Sequence, residues 1–189
     1  MNEKTFAKIH LFGTGIVAVS IWALLLWNHY HGGVPSHHIL AREDLPSISN
    51  AWGALLLPLL AAFLLWRMKS RLVAGPAGKP VIYGFAGGLI FGILLAVFFT
   101  LGYSDILGYM MNGVLILALF FPIYRAECLL GFVLGMTYTF GAVLPTGVGT
   151  ILALIGFVLY KLVRPAIIWV GSSIWGLVSP KKSKEYDEQ

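Results

Sequence analysis

Charge is scarce in this chain. Only 11% of its 189 residues are Asp, Glu, Lys or Arg, against about 25% in an average soluble domain. That shortage excludes a disordered chain and an ordinary water-soluble enzyme. Cysteine is rarer still. Cys128 stands alone, so an intramolecular disulfide and a multi-cysteine zinc or iron–sulfur site are excluded, and it is read as a small buried hydrophobe. P-loop, GxSxG and HExxH motifs are missing, which leaves nucleotide hydrolysis and the familiar protease sites without support. No apolar block carries a charge at its centre, and that counts against a pump built on a midplane carboxylate relay. Neither a repeat of about 20–50 residues nor an inverted pair is visible.

What is abundant is apolar residues, at 58% of the chain with a mean hydropathy of +0.83. They fall in six blocks at 9–27, 51–66, 81–102, 106–123, 126–144 and 147–160. A helix needs about 20 apolar residues to cross the hydrocarbon, so the short second and sixth blocks are expected to continue into polar flanks. The blocks lack the period-two alternation of a barrel. Where water is absent, helices are the remaining way to satisfy the backbone. The sequence therefore predicts an all-α polytopic membrane protein with six transmembrane helices in one bundle over residues 1–178. The first block follows Lys4 and Lys8 as a secretory signal would, but no small-residue cleavage pattern comes after it. It is expected to be a retained span.

The basic residues set the orientation. With the N-terminus in the cytoplasm, twelve of the thirteen Lys and Arg fall on cytoplasmic segments and only Arg42 lies outside, as the positive-inside rule requires. Both termini are then cytoplasmic, in a bacterial inner (plasma) membrane, with the first loop facing outside. Trp27, Trp52 and Trp66 sit at the ends of blocks, where aromatic belts form. After Lys161, Arg164 and Pro165 comes an apolar stretch at 166–178 with Trp169 and Trp175, too short to cross and return. It is expected to be an interfacial helix, followed by a flexible tail at 179–189. The net charge of +5 needs no nucleic-acid partner, because topology and anionic membrane lipid account for it.

Packing signals lie in the third and fifth blocks. Gly84, Gly88 and Gly92 recur every four residues, and Gly131 and Gly135 repeat the interval. Such stripes let two backbones approach closely, within the chain or across a homodimer or larger membrane complex. Pro58 frees one carbonyl of the second span and should kink it. Arg125 and Glu127, of opposite sign near the cytoplasmic boundary, are read as a structural pair or as snorkelling residues.

Candidate chemistry concentrates in the first outer loop, residues 28–50, NHYHGGVPSHHILAREDLPSISN. Gly32, Gly33, Pro35 and Pro46 break helix there and fold the loop back on itself. His29, His31, His37 and His38 are candidate ligands for a divalent transition metal, such as zinc, copper, iron or nickel. Glu43 and Asp44, with Asp105 from the next outer turn, are candidate catalytic or orienting carboxylates. The plainer alternative has the histidines capping helix ends and bonding the loop at the interface. Asp105 as a cap of the fourth helix and Asn50 as a cap of the second belong to the same alternative. Arg42, Asn50, Asn112, Thr137 and Tyr138 are candidate substrate-binding residues. Three functions remain open: a metal-dependent membrane enzyme acting on a lipid or small amphiphile, a transport or substrate-capture subunit, and an assembly or interaction subunit.

Overall fold

A computed structural model describes residues 2–31, 33, 36–38, 47–73 and 78–178, with backbone alone for 36–38, 47–48 and 174–178. Among them run α1 (Glu3–Tyr30), β1 (Ser36–His38), β2 (Ser47–Ser49), a 3-10 turn (Asn50–Trp52) and α2 (Gly53–Val73). Then follow α3 (Gly78–Thr100), α4 (Ser104–Phe120), α5 (Ala126–Phe140), α6 (Val143–Val158), a π turn (Leu159–Val163) and α7 (Arg164–Val178). The strands form one short antiparallel pair with Ser36 opposite Ser49 and His38 opposite Ser47. Everything else regular is helical.

Four helical stretches are long and apolar enough to cross a membrane: Glu3–Tyr30, Asn50–Val73, Gly78–Thr100 and Val143–Ser173. Their outward faces carry large apolar side chains such as Leu11, Phe12, Ile16, Leu55, Ile90 and Leu154. Apolar faces on the outside as well as the inside are what lipid demands and water forbids. The chain is a helical membrane protein.

Two blocks give shorter helices than their apolar length suggests. α4 ends because Pro122 pushes the preceding Phe121 into extended backbone, at φ −118° and ψ 142°. α5 ends inside the block at 126–144 because Gly141 turns the chain at φ +71°, a region that favours glycine. α4 has 17 residues and α5 has 15. The second block lengthens instead, as its polar flank is helical to Val73.

The last block departs furthest from expectation. A separate helix was expected beyond Pro165, yet helix continues from Val143 to Val178. Proline inside a helix lacks an N–H and clashes with the carbonyl four residues back. Here the π turn directly precedes it, with the Arg164 N–H bonded to the Leu159 carbonyl. One extra residue in that turn re-aims the carbonyls and carries the helix past the ring.

Side-chain contacts fix the helix directions. Trp22 meets Ala54 and His10 meets Ala62, so α1 and α2 are antiparallel. Gly53 lies against Ala142 and Arg71 pairs with Glu127, so α2 is antiparallel to α5. Gly149 packs on Leu129 and Phe132, and Gly156 on Ile123, so α6 runs against α5. α3 and α5 are parallel, because Gly84 faces Glu127, Gly88 faces Cys128 and Gly92 faces Phe132. α4 returns between their opposite ends, from the Phe99–Phe140 ring contact at 4.6 Å to Ile123 beside Gly156. The buried core lies between α2, α3 and α5, with Leu57, Ala61, Leu64, Leu95, Leu130 and Val133 at its centre.

The glycine stripes settle where the close approach occurs: inside one chain. A Cβ at Gly92 would lie 2.5 Å from the Phe132 carbonyl oxygen, and one at Gly135 2.5 Å from that of Leu89. At Gly88 and Gly131 it would collide with the carbonyls of Cys128 and Phe85. The two stripes interlock in one parallel pair, backbone against backbone.

Candidate functional site

The loop between α1 and α2 starts from a fixed imidazole. His31 caps α1, and its ring stacks on Trp27 with centroids 3.8 Å apart and planes 14° apart. Its Nδ1 lies 2.9 Å from the Trp27 carbonyl oxygen. A carbonyl only accepts, so Nδ1 donates, and in the neutral ring the lone pair sits on Nε2. The residue is exposed. His29, two positions earlier on the helix, makes an edge contact with Tyr30 at 5.3 Å. Residues two apart on a helix do not share a face, so these two rings diverge.

The loop ends on a buried amide. Ser49, rather than Asn50, caps the following turn: its hydroxyl accepts from the Ala51 N–H at 3.2 Å. Asn50 sits within the turn and is buried, with its amide filling the space where a Cβ on Gly141 would be. It thus locks the start of α2 to the α5–α6 turn. The β1–β2 pairing brings residues 36–38 back alongside this anchor. For His37 and His38 only the backbone is described, and Arg42, Glu43 and Asp44 lie outside the described residues.

The other candidates are dispersed. Asp105 is exposed in the first turn of α4. Tyr103 holds the capping position, so Asp105 complements the helix dipole rather than capping. Asn112 is exposed on α4, and Tyr138 is 83% exposed on α5. Thr137 is buried and donates its hydroxyl to the Val133 carbonyl at 2.7 Å. Thr137 is thus committed to the core, whereas Asn112 and Tyr138 are exposed on their helices. Among the described residues, no three His, Cys, Asp or Glu side chains converge as a metal set would.

Beside the Lys69–Glu3 ion pair at 3.1 Å, three further polar contacts between helices were not anticipated from the sequence. Glu127 is paired with Arg71 rather than Arg125, in a bidentate fork that joins both guanidinium Nη atoms to both carboxylate oxygens. The Glu127 side chain is 1% exposed and that of Arg71 28%. The pair rests on Gly84, where a Cβ would lie 2.6 Å from the Glu127 Cγ and 3.2 Å from the Cys128 Sγ. Cys128 is free and half-buried. The second contact answers Pro58. The carbonyl this proline leaves without a helical donor is that of Ala54, four residues back, and the Trp22 indole N–H donates to it at 3.0 Å. In the third, His10 Nε2 donates to the Ala62 carbonyl at 2.9 Å, a further tie between α1 and α2. The signal for the indole contact lay in Pro58, since a freed carbonyl needs a donor. The Arg71–Glu127 pair spans 56 positions and left no local trace.

No family model matches the chain, and no curated protein or solved structure is significantly similar to it.

Proposed function

We propose that this is a six-span inner-membrane protein with both ends in the cytoplasm, whose first outer loop binds a divalent transition metal. The clustering of Lys69, Arg71, Arg125, Lys161 and Arg164 at one end of the bundle supports that orientation through the positive-inside rule. The alternating directions of α1 to α6 support six crossings. The apolar part of α7 beyond Arg164 then lies at or beyond the cytoplasmic boundary.

The observation that carries the metal reading is His31. A metal-binding imidazole commonly donates its other nitrogen to a backbone carbonyl, which fixes the tautomer and aims the lone pair. His31 has that arrangement, and the residue is exposed. His29, His37 and His38 are the further nitrogen donors within the loop, and Glu43 and Asp44 the oxygen donors. The strand pairing brings residues 36–38 back beside residues 47–49, which supports His37 and His38 lying near the start of α2. A metal held there would supply Lewis-acid chemistry to a lipid or small amphiphile arriving from the bilayer. Asp105, on the same outer side, is a candidate acid–base group.

The test is metal content of the purified protein, followed by zinc and nickel titration of wild type and of a variant with all four histidines changed to alanine. Wild type should bind one equivalent, and the variant, stripped of its imidazole ligands, should lose more than the roughly tenfold to hundredfold that disturbing an outer-shell partner alone costs. Equal binding by both proteins, or none by wild type, removes the reading.

A further inference from the structure

We propose that a cleft between the start of α1 and the end of α2 seats the headgroup of an anionic glycerophospholipid. The cleft has a volume of about 390 Å³ and is lined by Glu3, Trp66, Arg67, Lys69, Ser70 and Val73. That is within the usual range for a small-molecule site, about 300–1,000 Å³. The two helices are tied together further up by His10 and Ala62, and the cleft opens below that contact.

Its lining suits a phosphodiester at a membrane surface. Arg67 is exposed and makes no ion pair among the described residues. Its guanidinium can fork onto phosphate oxygens. Lys69 brings a second positive charge, partly held by Glu3 at 3.1 Å. The Ser70 hydroxyl can bond a headgroup oxygen. Trp66, with its indole exposed, sits where aromatic side chains mark headgroup depth. Trp66 and Val73 offer the apolar wall along which the glycerol and upper acyl chain descend. Two cations against one carboxylate give the cleft a net positive charge, and basic pockets at helix ends on the cytoplasmic side are known to take anionic headgroups. The proposal rests on this end of the bundle lying at a membrane surface, and is independent of the outer metal.

The full-length protein in neutral detergent is titrated with phosphatidylglycerol, with phosphatidylcholine and with glycerol phosphate, and retained lipid is counted by native mass spectrometry. Phosphatidylglycerol should bind in preference to the other two. R67Q should weaken it about fivefold, the worth of one basic charge near a surface, and R67K, which keeps the charge but loses the fork, should fall between wild type and R67Q. E3Q should tighten it by a similar factor, a gain that misfolding cannot imitate. K161Q removes a charge from the same end but outside the cleft, and should change nothing. Equal loss in K161Q and R67Q, no gain in E3Q, or equal binding of glycerol phosphate would overturn the proposal. Detergent makes the result independent of which way the bundle faces, and metal content reports separately on the outer loop.

Discussion

Removing Arg71 should cost more than removing the charge of Glu127, although the two form one ion pair. The reason is the difference in burial. Glu127 is 1% exposed and cannot reach water, whereas the Arg71 side chain is 28% exposed and stands in the last turn of α2. In R71Q a carboxylate is stranded in the interior, at a cost of about 3–5 kcal/mol. In E127Q the guanidinium can swing outward along its aliphatic stem, and the amide still accepts a hydrogen bond. About 1–2 kcal/mol is then the expected loss, close to one hydrogen bond. The double variant R71Q/E127Q strands nothing, so it should be more stable than the sum of the singles implies, with a coupling of about 1.5–3 kcal/mol. Replacing the pair with Met and Leu should be neutral or stabilising, by up to about 4 kcal/mol. The assay is reversible unfolding in mixed micelles by increasing dodecyl sulfate, followed by fluorescence of the six tryptophans. Equal costs for the singles, or additivity within about 0.5 kcal/mol, would refute the unequal-burial account.

Three further outcomes can be measured in the same assay. G88A and G131A should each destabilise by about 1–3 kcal/mol through overpacking, whereas G87A, which meets nothing within 4 Å, should be neutral or mildly stabilising. W22F should cost about 1–3 kcal/mol by stranding the Ala54 carbonyl; adding P58A, which restores a helical N–H to that carbonyl, should recover most of the loss. G141A should cost at least about 1–3 kcal/mol from its left-handed backbone alone, and N50A should relieve only the part due to collision with the amide.

Much of the architecture was legible because lipid simplifies the code. Blocks of apolar residues became helices at each expected place. The glycines at 84, 88, 92, 131 and 135 announced a close helix pair, although their spacing alone left open whether the partner was another chain. Helix ends were harder to place. Hydropathy ignores the turn at Gly141 and the extended backbone before Pro122, so the fourth and fifth blocks read longer than the helices they produce. At Pro165 the opposite error arose: proline suggests a stop, but a π turn one residue earlier carries the helix past it. The partner of Glu127 was invisible, because Arg125 is its neighbour in sequence and Arg71 its neighbour only after α2 and α5 have packed. At the candidate site the histidine count marked a region, and His31 shows why a count does not define a geometry. Its ring is committed at one nitrogen to the helix end, a contact that depends on where α1 stops.

The parallel pairing of α3 with α5 also imposes an order on biogenesis. α3 leaves the insertion machinery with Gly84, Gly88 and Gly92 facing lipid, because the complementary surface is not yet made. The intervening α4 must be made before Gly131 and Gly135 can enter the groove. A chain arrested after α4 therefore displays an unfilled glycine groove that any small-faced helix can occupy. At that stage the chain exposes a packing surface that the finished bundle buries.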